Sequence, residues 1–76
     1  MEKNYYEFFS YNARTAERKL IYRGWCTEEE MKTLARGMAL GFRQFRATCS
    51  IFVYLCREDG TTERIFQTTR IRISII

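Results

Sequence analysis

From residue 26 the apolar positions of the chain fall into a period of three and four. The stretch "CTEEEMKTLARGMALGFRQF" places Met31, Leu34, Ala35, Met38, Phe42 and Phe45 on one stripe, which predicts a helix running to about Arg46. Thr27 and Glu30 mark its start as the pair of a capping box, and Cys26 and Met31 occupy the positions of a hydrophobic staple. Glu28, Glu29 and Glu30 add negative charge at the positive end of the helix dipole. Gly37 and Gly41 lie one turn apart off the stripe, where missing side chains predict the close approach of another backbone. Leu40 also lies off the stripe and offers a small second contact.

On either side of this helix the period drops to two. "NYYEFFSY" and "RKLIYRGW", joined by the polar "NARTAE", predict one hairpin. "SIFVYLC" and "ERIFQTTRIRISII" flank "REDGTT", where Asp59-Gly60 predicts the turn of a second. Like meets like across that turn when a three-residue loop sets Leu55 opposite Ile65 and Tyr54 opposite Phe66; a two-residue loop would set Leu55 opposite Arg64. Ile71, Ile73 and Ile75 share one side of the last strand and belong in the core. The result is an α+β fold of ββαββ order, a single domain over residues 1–76 with one helix on one face of a four-stranded sheet. That element order resembles the β-grasp roll of small immunoglobulin-binding domains. The resemblance implies that strands one and four are central and parallel, with another, antiparallel order left open. It carries no motif and therefore no activity.

The strands hold more apolar surface than one helix covers. Strand three sets Ile51, Val53 and Leu55 against Phe52, Tyr54 and Cys56. Strand one sets Tyr5, Phe9 and Tyr11 against Tyr6 and Phe8, and strand two sets Leu20 and Tyr22 against Ile21 and Trp25. A sheet with one side in water alternates apolar with polar instead. With the helix on Ile51, Val53, Leu55, Ile71 and Ile73, the far face carries Phe52, Tyr54 and Phe66 with one aromatic set of strand one. Tyr6 and Phe8 are the candidates for that set, and Arg70 and Arg72 form a charged rim. Four rings of roughly 150–250 Å² each exceed what soluble monomers leave bare. At about 25 cal/mol per Å² they hold on the order of 10 kcal/mol before the costs of association.

Composition sharpens this picture at three points. Aromatic residues, at 16%, are enriched in a chain whose 46% hydrophobic and 29% charged content is ordinary for a globular domain. Thirteen basic residues against 9 acidic give +4, which suits an anionic partner and argues against mimicry of DNA. Lys32, Arg36, Arg43 and Arg46 fall on one helix flank, with Arg57 and Arg64 around the second turn, so these six are candidate phosphate contacts. They support an alternative function, single-stranded nucleic-acid binding by bases stacked on the sheet, although the glycine–aromatic signature of RNA-recognition sheets is missing. Third, the chain has no His and no CxxC pair among Cys26, Cys49 and Cys56, so neither a zinc site nor acid–base catalysis is expected, nor any cofactor. An odd number of thiols, two of them beside or within apolar strand positions, indicates a reducing, cytoplasmic setting. The longest apolar run, residues 51–56, is too short for a bilayer, and no secretory h-region is seen. The predicted function is a small non-catalytic interaction module whose aromatic sheet face binds a second copy, as a homodimer, or a larger protein.

Overall fold

The computed structural model describes residues 2–12, 14–41 and 49–69. Strands β1 (Asn4–Asn12) and β2 (Glu17–Cys26) precede helix α1 (Glu28–Gly41), and β3 (Cys49–Cys56) and β4 (Thr62–Thr69) follow it. They form the predicted ββαββ domain, with the helix packed on one side of a single sheet. The sheet order is β2-β1-β3-β4 with every neighbouring pair antiparallel. This overturns the β-grasp arrangement, because β1 lies beside β3 and not beside β4. The reason is visible in the strands themselves: β1 and β3 are apolar on both sides and suit the centre, while the charge-bearing β2 and β4 sit at the edges.

Both edge strands carry a bulge. In β2, Tyr22 opposes Phe8 and Leu20 opposes Phe9, leaving Ile21 as an extra residue. Ile21 and Tyr22 therefore turn toward the helix side, where Tyr22 meets Phe8 edge-on at 5.5 Å and Ile21 packs against the core, while Leu20 turns away. In β4 the extra residue is Ile65, between Arg64 opposite Tyr54 and Phe66 opposite Val53. The turn before it closes when Gly60 N–H donates to the Arg57 carbonyl at 3.0 Å and Arg57 N–H donates to the Thr61 carbonyl at 2.9 Å. Gly60 takes φ 89° at the last position of a three-residue loop, the place where only glycine is unstrained. The Asp59 carboxylate accepts from the Thr61 amide at 3.0 Å and its hydroxyl at 2.7 Å. The loop has the expected length but begins one residue earlier, at Glu58, so Leu55 opposes Glu63 instead of Ile65. The bulge then brings Phe66 opposite Val53, and the expected pairing of Tyr54 with Phe66 is replaced by Tyr54 with Arg64.

The turn of the first hairpin includes residues 14–16, and Ala16 ends it at φ 58°. A side chain in this left-handed region costs about 1–2 kcal/mol, of which glycine's looser unfolded chain takes back about half. Ala16→Gly is thus expected to raise stability by about 0.5–1 kcal/mol, read as a higher urea midpoint at unchanged slope.

At the helix start the capping box forms as the sequence implies. Thr27 N–H donates to Glu30 Oε1 at 2.9 Å, and Glu30 N–H donates to Thr27 Oγ1 at 3.1 Å. Cys26 and Met31, the staple residues, are both buried. The Thr27 amide, and after it the Thr27 side chain, hold the Glu30 carboxyl below its ordinary pKa. A depressed carboxyl stabilises the fold above its unfolded pKa, and that contribution is lost as pH falls through the lower folded value. Thr27→Ala is expected to cost about 1 kcal/mol at pH 7 and to make the acid side of a thermal-stability profile only slightly less steep, because the backbone N–H at position 27, the larger cause of the shift, is kept.

The helix rests on its Met31, Ala35 and Ala39 row, against Tyr6 and Phe8 of β1 and Ile51 and Val53 of β3. Two alanines in the contact row let helix and sheet approach closely. Leu34, expected in the stripe, lies on the flank and is exposed, while Ala39 takes the buried place. A Cβ added at Gly37 would meet nothing within 4 Å, so the described residues bring no backbone against it as the spacing had implied. Phe42, Phe45, Ile71, Ile73 and Ile75 lie outside the described residues. The helix sits mainly over β3 and β4 and leaves most of β2 uncovered.

Candidate interaction surface

The phase of each strand decides which side chains the helix leaves bare. Cys26 is pinned beneath the helix by its staple with Met31, so Trp25 points to the other side. Tyr5 lies opposite Trp25 in register and goes with it, and along β1 Phe9 and Tyr11 follow at steps of two. From β3 the same face receives Phe52, Tyr54 and Cys56, and from β2 Leu20 beyond the bulge. Six of the twelve aromatic residues therefore share the open face.

They pack on one another. Tyr5 meets Trp25 edge-on at 5.4 Å, Phe9 meets Tyr54 edge-on at 5.4 Å, and Tyr11 stacks on Phe52 at 5.1 Å, the last two as diagonal cross-strand pairs. Arginines lie across the rings: Arg18 is 4.7 Å from the Phe9 centroid and 5.5 Å from that of Tyr54, and donates to the Tyr54 hydroxyl at 3.1 Å. Arg64 lies 4.8 Å over Phe52. Between them Glu7 sits opposite Arg23 and shares a hydrogen bond with the Cys56 thiol. Five of the rings are half-buried by this packing, whereas Trp25 is 64% and Leu20 41% exposed. At about 200 Å² per ring, the exposed fractions leave roughly 500 Å² of apolar surface, near the upper end for a monomer. Among the described residues nothing packs on this face.

The candidates named from the sequence divide sharply. Phe52, Tyr54 and Arg64 stand on the open face. Tyr6, Phe8 and Phe66 do not: Tyr6 and Phe8 are buried beneath the helix, and the Ile65 bulge turns Phe66 to the same side. Lys32 and Arg36 lie 5.9 and 5.6 Å from the Phe66 centroid and shield that ring, with Lys32 also paired to Glu28 at 3.2 Å. Arg57 is bonded to Glu63 at the hairpin end. No common phosphate track joins these cations. Arg43, Arg46, Arg70 and Arg72 lie outside the described residues. Leu40 is 64% exposed on the side of the helix away from the sheet.

Sequence reasoning missed Tyr5, Phe9, Tyr11, Trp25, Leu20, Arg18 and Arg23 as members of the surface. The staple was the signal available for the aromatic set, since fixing Cys26 inward fixes Trp25 outward and Tyr5 with it. Leu20 needed the bulge, which no alternation reveals.

Two shallow depressions adjoin the surface. One, of about 500 Å³, lies between the first helix turn and β2 and is lined by Lys3, Tyr22, Trp25, Glu29 and Leu34. The other, of about 390 Å³, lies at the Tyr5–Trp25 end of the open face beside Leu55 and Arg57. Each holds one thiol beside carboxylates, Cys26 with Glu29 and Glu30 in the first and Cys56 with Glu2 and Glu58 in the second. Burial pushes the Cys56 thiol above its ordinary pKa and the Glu7 charge adds to it, the opposite of an activated nucleophile; burial, then Glu30, does the same to Cys26. Among the described residues no group of three His, Cys, Asp or Glu side chains could hold a metal ion, and no helix is long and apolar enough to cross a membrane.

No protein-family model matches the chain, and neither a curated protein nor a solved structure matches it. Fold and surface define a class by themselves: a two-layer α+β domain with an aromatic, arginine-bearing sheet face that the described residues leave open.

Proposed function

We propose that this chain is a non-catalytic binding module that docks another polypeptide on the open face of its sheet. The observation that carries the reading is the segregation of six aromatic side chains and Leu20 to the side opposite the only described helix. Trp, Tyr and Arg are the residues that dominate the energetics of protein interfaces, and here they form one contiguous surface. Both free edges are bulged, and β2 carries Arg18, Lys19 and Arg23, so strand-to-strand addition is discouraged and the face is the available route. The roughly 500 Å² of bare apolar area is the core of a standard interface, which buries about 800 Å² per partner with its polar rim.

Nucleic-acid binding is less favoured by the same geometry. Base stacking needs open ring faces, yet Phe9, Phe52 and Tyr54 are lidded by guanidinium groups, and Tyr11 and Phe52 stack on each other.

Two exposed leucines on opposite sides of the domain give the test. The wild-type chain, Leu20→Asp and Leu40→Asp are immobilised separately and exposed to extract of the host cell. Proteins retained by wild type and Leu40→Asp but released by Leu20→Asp are the expected outcome. Equal retention by all three contradicts the reading.

A further inference from the structure

The open face is electrostatically one-sided. It presents Arg18, Arg23 and Arg64 against a single carboxylate, Glu7, which already lies opposite Arg23 and is hydrogen-bonded to Cys56. Among the described residues Arg18 and Arg64 have no carboxylate partner and lie over rings instead. Arg18 spends one nitrogen on the Tyr54 hydroxyl, which leaves the other donors of the fork for a planar anion. Arg18 reaches in from β2 and Arg64 from β4, the two edges of the sheet, so both guanidinium groups lie over the aromatic rows of β1 and β3.

A second copy stacked on this face would set like charge against like. It would bring one carboxylate for every three guanidinium groups and strip water from the remainder, the costly case of an unpaired buried charge. Resting on the docking role of the face, we propose that its occupant is an acidic protein surface, in which carboxylates reaching Arg18 and Arg64 accompany apolar side chains set against Leu20 and Trp25. The apolar centre holds the partner and the flanking arginines select it, so charge here decides specificity and encounter rate more than gross affinity.

Trp25 is the single tryptophan and stands at the edge of the face, so its emission, excited beyond tyrosine absorption, reports occupancy. The chain, first sized by light scattering, is titrated with a random copolymer of glutamate and tyrosine, with polyglutamate, and with a single-stranded oligothymidine. The expected result is a monomer that binds the copolymer more tightly than either other probe. Arg18→Gln with Arg64→Gln should weaken that binding about tenfold, and Lys at both positions should restore part of it. Several outcomes overturn the proposal while sparing the docking role: a wild-type dimer abolished by Leu20→Asp, or copolymer binding lost with Leu20→Asp but indifferent to the arginine substitutions. Tightest binding to oligothymidine, or no binding of the copolymer, overturns it as well. Binding indifferent to both sets of substitutions removes the docking role too.

Discussion

Phe8→Ala is expected to remove a large share of the domain's stability. Phe8 is 0% exposed at the centre of β1, beneath the helix, with Val53 opposite it on one side and Tyr22 on the other. Truncating a buried phenylalanine costs about 3–5 kcal/mol in lost burial and residual cavity. At roughly 0.05–0.15 kcal/mol per residue, a domain of this size has about 4–11 kcal/mol in all. The cavity would collapse poorly, because the neighbours Ile51 and Val53 are themselves fully buried on a paired central strand. Circular dichroism with temperature should show a melting point lowered by tens of degrees or no cooperative transition, whereas a shift of a few degrees would mean that β1 is not central to the core.

Trp25→Ala should do the reverse, sparing the fold and removing the binding. The ring is 64% exposed and touches the rest of the face mainly through Tyr5, so the melting point should move little. An exposed tryptophan packed edge-on against a tyrosine has the character of an interface anchor, whose loss costs about 2 kcal/mol or more, or roughly thirtyfold in affinity. Fluorescence anisotropy of the labelled glutamate–tyrosine copolymer reads this without the tryptophan's own emission. A melting point lowered as far as that of Phe8→Ala would make Trp25 a core residue and remove it from the proposed surface.

Why one ring belongs to the core and the other to the surface is only partly written in the pattern. The helix start was legible because capping is local: Thr27, Glu30, Cys26 and Met31 meet within one turn, and no distant contact alters them. Element order was legible for the same reason. Strand order was not inferred, although β1 and β3, apolar on both sides, carried the signal that they are the central pair. The loss of Tyr6, Phe8 and Phe66 from the candidate surface has two separate causes. Tyr6 and Phe8 were assigned to the wrong side because strand one offers aromatic residues to both, and only its pairing to Trp25 distinguishes them. Phe66 was lost to the Ile65 bulge, and a single inserted residue reverses every side chain beyond it. Arg18 was overlooked because a lone charge at a strand start reads as solvated surface. Its position over Phe9 and Tyr54 depends on residues 36 apart in sequence.

The central claim is that one side of the sheet is open in the isolated subunit and closed by a partner. Hydroxyl-radical footprinting read by mass spectrometry, at a concentration where light scattering gives a monomer, tests it at single residues. Leu20 and Trp25 should be oxidised readily in the free chain and protected once the acidic copolymer is bound, while buried Met31, chemically the more reactive side chain, stays protected throughout. Protection of Leu20 and Trp25 already in the free monomer, or oxidation unchanged by the copolymer, would contradict the account.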